Sequence, residues 1–334
     1  MIGKLKLLEK ENKLKMNKKE KILILQGGKN EEHEISLKTA MEAYKALLKL
    51  GYNAELFNVN PKTFKEKIKN IKTDYCFNAL HGPFGEDGQI QNILFDQNIP
   101  FTHSGISASA KAFDKQKTKI CLNKTDLNLL ESQVISKKNI NNEFFEELLS
   151  KFKSFVIKPL SSGSSYGVLI IKSKSDINKI LKNNKVRDVL YKKHKKLIVE
   201  PYIEGRELTV SVIEKNNGSE PVEVTEILTK KKFFDYKAKY TKGFSKHVIP
   251  ANLEKNIYED CLIHAKIAHD VIGCNGATRS DFIFDEKNKK IYFLEINTQP
   301  GLTPISLVPE QLNYKGIGFL ELIKLLINLA ECRK

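Results

Sequence analysis

Two short runs carry side chains of the type and spacing that hold a cation against phosphate. Arg279 and Asp281 lie two apart in ATRSDFIF, and Glu295 and Asn297 lie two apart in KIYFLEIN. Strand residues two apart share a face. If the runs pair through the polar turn DEKNKK, all four groups meet on one face of a hairpin. Two carboxylates and an amide oxygen are hard ligands that suit Mg²⁺, and phosphate oxygens and water would complete the octahedron. An amphipathic hairpin with a solvated ion pair fits the same pattern, so these residues alone leave both readings open.

A loop of small residues adds to the case. Residues 161–167 read Ser-Ser-Gly-Ser-Ser-Tyr-Gly between two apolar runs, FVIKP and VLIIK. Small residues expose backbone N–H groups that cradle phosphate oxygens. The loop joins strand to strand and lacks GxxxxGK[ST], so it is not a Walker loop, and no GxGxxG follows the first strand. Lys158, borne on the incoming strand, is placed to meet phosphates beside the loop.

These groups need elements to hold them. KILILQ (21–26), AELFNV (54–59) and YCFNAL (75–80) read as strands. A helix is expected over about 36–50, with Leu37, Ala40, Met41, Tyr44, Leu47 and Leu48 as its apolar positions and Gly51 at its end. Alternating strand and helix argues for a parallel sheet, and HGPFGEDG (81–88) follows a strand where such sheets bind ligands. Further on, LIVEPYIEG, ELTVSVIE and EPVEVTEI read as strands, the last two antiparallel with the 277–297 pair. A helix is expected at 318–332. The expected units are an extension over 1–16, a Rossmann-like unit over 17–112, a central unit over 113–204 and a C-terminal unit over 205–334. Met16 directly precedes the first strand, so the extension also fits a mis-called start.

Composition excludes several classes. The chain has 334 residues, 41% of them hydrophobic, enough for two or three cores. The net charge is +16, yet four of the basic residues are Arg and 52 are Lys, spread evenly. Nucleic-acid binding would call for clustered Arg and exposed aromatics, and no nucleic-acid partner is expected. Where Arg persists in such a chain, a planar bidentate donor is needed, which singles out Arg279. Five cysteines without a CxxC pair suit a reducing compartment, hence the cytoplasm, and exclude a disulfide framework or zinc site. No apolar run reaches the ~20 residues of a membrane span, so no membrane partner is expected.

Six motifs in order, GGKNEEHEISL (27–37), ALHGPFGEDG (79–88), VIKPLSSGSSYG (156–167), FFDYKAKY (233–240), GATRSDF (276–282) and LEINTQPGLTPISLVP (294–309), resemble the D-alanine–D-alanine ligases, an ATP-grasp family of peptidoglycan synthesis. The resemblance covers residues 20–330. It implies a mixed α/β (α+β) ATP-grasp fold of three α/β subdomains, with ATP between the central and C-terminal ones. It implies that two D-alanines are joined through D-alanyl phosphate, releasing ADP and phosphate. Asp281, Glu295 and Asn297 would ligate two Mg²⁺ (or Mn²⁺), Glu295 bridging them. Lys115 and Lys158 would contact ATP phosphates and Lys239 the γ-phosphate, with Ser165 also binding ATP. Glu200, Tyr202 and Ile203 would line the adenine, with Glu207 on the ribose and Phe233 nearby.

For the amino acids, the resemblance implies Glu32 on the first ammonium and His81 near its carboxylate. Ser306 and Leu307 would hold the second D-alanine. Glu32, Ser164 and Tyr240 would tie the site to two closing loops. Arg279 with the Gly301 N–H would form the oxyanion hole for amine attack. A homodimer is also implied. Ser162 stands where the family usually has an acidic residue, and His33 where Arg is frequent. His81 also fits a strand end, Tyr240 a core aromatic and Ser306 a helix cap. A related ligase accepting D-serine or D-lactate is the alternative, and Tyr240 favours D-alanine.

Overall fold

The computed structural model describes residues 20–136, 141–163, 167–183, 196–215, 217–229 and 245–334. Ser164, Ser165, Phe233, Lys239 and Tyr240, and the 1–16 extension, lie outside them.

The first sheet is parallel, in the order β2-β1-β3, from β1 (Lys21–Gly27), β2 (Asn53–Val59) and β3 (Tyr75–Asn78). Ile22, Leu23, Ile24 and Leu25 are all fully buried, so β1 is the central strand with both faces covered. Helix α1 (His33–Lys49) buries Ala40, Ala43 and Leu47. Met41 and Leu48, expected on its apolar face, are 40% and 47% exposed. Each follows an inward residue by about 100° of helix rotation, which turns it to solvent. The short α2 (Phe64–Ile68), then α3 (Gln89–Asp96) and α4 (Ile106–Phe113), complete this region.

Helix α5 (Lys115–Leu122) starts at an Asp114 N-cap that accepts from the backbone of Gln116 and Lys117. The cap fixes where Lys115 emerges. Next come β4 (Asn128–Leu129), β5 (Gln133–Ser136) and α6 (Asn142–Phe152). β6 (Phe155–Pro159) and β7 (Leu169–Ile171), the two runs that flank the Ser/Gly loop, pair antiparallel, followed by α7 (Lys174–Lys182) and β8 (Lys196–Pro201). The second sheet has the order β5-β8-β6-β7. Phe145 of α6 packs on Phe155 of β6, ring centroids 6.2 Å apart, inside a core that includes Ile157, Ile177 and Val199.

The third sheet has six strands in the order β11-β10-β9-β12-β13-β4. They include β9 (Arg206–Lys215), β10 (Gly218–Thr229), β11 (Ser245–Val248), β12 (Ala277–Asp285) and β13 (Lys290–Asn297). α8 (Lys255–Ile272), the longest helix among the described residues, falls where the sequence suggested none. Its stripe Ile257, Cys261, Ala265, Ala268, Ile272 is buried at helical spacing, and Gly273 ends it at φ 81°. Ala108, Ala112, Leu122 and Leu127 join this core, so α4 and α5 pack on the third sheet. α9 (Leu307–Tyr314) and α10 (Phe319–Asn328) close the chain. Leu322, Ile323, Leu326 and Ile327 of α10 share one core with Ile22, Ile24 and Ala40. The first sheet is thereby locked to the third.

Candidate active site

β12 and β13 form the antiparallel hairpin that the spacing required. Arg279 faces Asn297 and Asp281 faces Glu295 in register, and a bulge follows Asp281. Direct opposition puts the two carboxylates side by side on one face. The Arg279 guanidinium grips Asp281 with Nε and one terminal nitrogen, each at 2.8 Å. Thr209 of β9 donates to the same carboxylate at 2.7 Å. Asn297 Oδ1 accepts from the Gln299 N–H at 2.8 Å. Lys115 Nζ lies 3.3 Å from Glu295 and donates at 3.0 Å to the carbonyl of Ser162. One lysine therefore touches both the hairpin and the start of the Ser/Gly loop.

Arginine is scarce here, and Arg206 makes a second fork, holding Glu226 at 2.7 and 2.6 Å. Two of the four arginines thus do what a lysine cannot.

A cavity of about 410 Å³ lies between the second and third sheets. Lys115, Lys158, Glu200, Tyr202, Ile203, Glu207, Asp281 and Glu295 all line it. At its buried wall, Glu200 accepts from Lys158 and from Lys119, each at 2.6 Å. Burial pushes the Glu200 carboxyl up, but Lys158 and Lys119 outweigh it and hold it below its ordinary range. Burial pushes Lys119 down.

A smaller cavity, about 50 Å³, adjoins the first through Lys115 and Glu295. Glu32, His81, Arg279, Asn297 and Gly301 line it. Glu32 is 8% exposed, and its carboxylate lies against Gly82 and Gly163. A Cβ on Gly163 would stand 3.0 Å from Glu32 Oε2, so the loop glycine permits the approach. His81 is buried, with Nε2 at 2.9 Å from Thr39 Oγ1 and Nδ1 at 3.3 Å from Glu86. His33 turns its Nδ1 to the carbonyl of Gly28 at 2.9 Å.

A third cavity, about 100 Å³, holds Ser306, Leu307, Arg279, Asp281 and Gly301. Ser306 is the N-cap of α9 by position but makes no side-chain cap bond. Its Oγ meets Thr303 instead, at 2.8 Å from Oγ1 and 3.1 Å from the backbone N–H. A Cβ on Gly301 would stand 3.0 Å from that Oγ. Arg279 and Gly301 line both smaller cavities, so a group held in one meets a group held in the other beside the same two donors.

A family model described as the D-ala D-ala ligase C-terminus matches residues 121–328. The chain belongs to this family. The D-alanine–D-alanine ligase of Rickettsia typhi is 40% identical over 94% of this chain and 92% of its own length. That of Rickettsia africae is 39% identical over the same shares. The crystal structure of the Bacillus anthracis D-alanine–D-alanine ligase superposes with a TM-score of 0.78 at 27% identity, over 93% of this chain and 97% of that one. The fold is the ATP-grasp fold that the motifs implied, and the protein is an ATP-dependent ligase.

Several site groups carried no sequence signal of their own. Lys119 lies one helical turn past Lys115 among many lysines. Thr209 reaches Asp281 from a strand 72 residues away in sequence. Gln299 binds Asn78 at 2.7 Å and the carbonyl of Leu80, tying the loop after β13 to the end of β3. Among the described residues, no group of three or more His, Cys, Asp or Glu is placed to hold a metal ion. The Asp281, Glu295 and Asn297 set has two carboxylates and an amide. These hard oxygens, with two carboxylates opposed across adjacent strands, fit Mg²⁺. No helix among the described residues is long and apolar enough to cross a membrane.

Proposed function

We propose that the three adjoining cavities divide the ligation of two D-alanines among them. ATP occupies the large cavity, the first D-alanine the one beside Glu32 and His81, and the second the one beside Ser306 and Leu307. The observation that carries this is the position of Arg279 and Gly301 on both smaller cavities.

The first carboxylate attacks the γ-phosphorus, and ADP leaves with D-alanyl phosphate formed. Two anions must approach for this, and Lys115, next to Glu295, offsets their repulsion. Lys158 and Glu200 sit where the nucleotide's base and phosphates enter. Glu32 pairs with the first ammonium. The second amine then attacks the acyl carbon. Charge grows on the carbonyl oxygen, where the Arg279 guanidinium and the Gly301 N–H receive it. Phosphate leaves as the amide forms. Asp281, Glu295 and Asn297 would hold Mg²⁺ or Mn²⁺, which would neutralise phosphate charge there. Acyl phosphate hydrolyses in water, so water must be kept from it; Ser164 and Tyr240, to which the resemblance assigns that task, lie outside the described residues. The family resemblance further supports a homodimer, which sedimentation would test, and a cytoplasmic site of action, where ATP is abundant.

The decisive assay incubates purified protein with ATP, Mg²⁺ and D-alanine and measures phosphate. L-alanine, D-serine and D-lactate serve as comparison substrates. D-alanine-dependent release is expected. Its absence overturns the reading.

A further inference from the structure

The cavity beside Ser306 has a wall residue that no step above uses. His247 stands on β11 and lines this cavity with Arg279, Gly301, Ser306 and Leu307. Its Nδ1 lies 2.5 Å from Glu310 Oε2. Glu310 belongs to the first turn of α9, just past the Ser306 cap position. The ring is therefore fixed at the end of the cavity where α9 begins.

Its other nitrogen is the informative one. Nε2 is shielded from solvent and has no hydrogen-bond partner among the described residues. A buried polar atom without a partner is costly, and a binding site explains it when the ligand supplies the partner. Glu310 takes Nδ1, so Nε2 is the ring nitrogen left for a ligand. Lys38 from α1 and Arg279 from β12 add positive charge to the same lining, while Arg279 already engages Asp281 there. The open backbone N–H groups at the start of α9 favour an anion as well. The group that meets all of these is a carboxylate.

We propose that His247 Nε2–H donates to the carboxylate of the second amino acid, with Glu310 orienting the ring and balancing its charge. This rests on assigning the cavity to the second D-alanine. It makes His247 a binding residue for the acceptor and Glu310 a positioning residue behind it.

The test compares His247→Ala, His247→Gln and Glu310→Gln with the unaltered protein, fitting phosphate release against D-alanine with separate constants for the two sites. His247→Ala is expected to raise the acceptor constant about tenfold or more, the size of a lost charge-assisted hydrogen bond. The donor constant and the ATP constant stay unchanged. His247→Gln, whose amide N–H reaches the place of Nε2, recovers most of the loss. Glu310→Gln raises the same constant by a smaller factor. Melting curves confirm that each variant is folded. If His247→Ala fails to fold, the Glu310→Gln and His247→Gln constants decide. An unchanged acceptor constant, or donor, acceptor and ATP constants that all rise together, overturns the proposal. Absence of D-alanine-dependent release in the unaltered protein would overturn the assignment of the cavity itself, a separate result.

Discussion

Lys119 and Glu200 are joined at 2.6 Å, and both are more than nine-tenths buried. The partnership crosses from α5, packed on the third sheet, to β8 in the second. It orients the carboxylate whose other oxygen takes Lys158 at the cavity proposed for ATP. Removing one partner of a buried ion pair costs about 3–5 kcal/mol, and here Lys158 offsets part of it. Lys119→Met should therefore lower the melting temperature clearly and raise the ATP KM by more than it lowers kcat. A variant with unchanged melting and unchanged ATP KM would remove this pair from the nucleotide site.

Glu295 opposes Asp281 across the hairpin and contacts Lys115. Glu295→Gln keeps the shape and removes one charge from the proposed cation site. Turnover should fall by on the order of 100-fold or more while circular dichroism is unchanged. Chelation of divalent cations should silence the unaltered enzyme reversibly. Activity retained in the variant would show that the cation is held elsewhere.

Gly82 has φ +73°, and a Cβ there would stand 2.5 Å from Glu32 Oε2. Gly82→Ala must bear left-handed backbone strain of roughly 1–2 kcal/mol and push the Glu32 carboxylate aside. A modest loss of stability is expected together with a raised constant for the first D-alanine. If stability falls but that constant does not move, Glu32 is not its partner.

His103 is fully enclosed, packs edge-on against Phe77, and has φ +70°. Neither ring nitrogen has a hydrogen-bond partner among the described residues. Burial first, and then the nearby His81, push its pKa down to about 3. In the unfolded chain the ring protonates near 6.5, so between the two values the unfolded state binds more protons. Stability is then fully present above about pH 6.5 and falls with acidification, at about 1.4 kcal/mol per pH unit. From pH 7 to pH 5 this one group should cost about 2 kcal/mol. Urea unfolding of His103→Asn, which cannot titrate and tolerates the left-handed region, should show a loss smaller by that amount. Equal losses in the two proteins would exclude His103 as the source.

Much of this protein was legible in the linear sequence because its signals are local. Period-two spacing placed Arg279 with Asp281 and Glu295 with Asn297, and apolar, β-rich runs marked β1, β6, β9 and β12 as strands. The run of glycine and serine marked the loop that meets Glu32, since only small residues permit that approach. Helix α8 has an equally local stripe from Ile257 to Ile272, yet the sequence reading placed no helix there. Met41 and Leu48 were misplaced because a helix's apolar residues need not all point to one neighbour.

Local sequence carried the chemical set and the strands that bear it. The tertiary structure alone decided which groups meet across distance. Thr209 meets Asp281, Lys119 meets Glu200, and Gln299 meets Asn78 because sheet order brings distant strands together, and no short-range pattern encodes sheet order. The placing of His247 against Glu310, and of Arg279 between two cavities, follows from how α9 docks on the third sheet. That docking is set by the summed burial of a shared core, a property of the folded chain and not of any one segment.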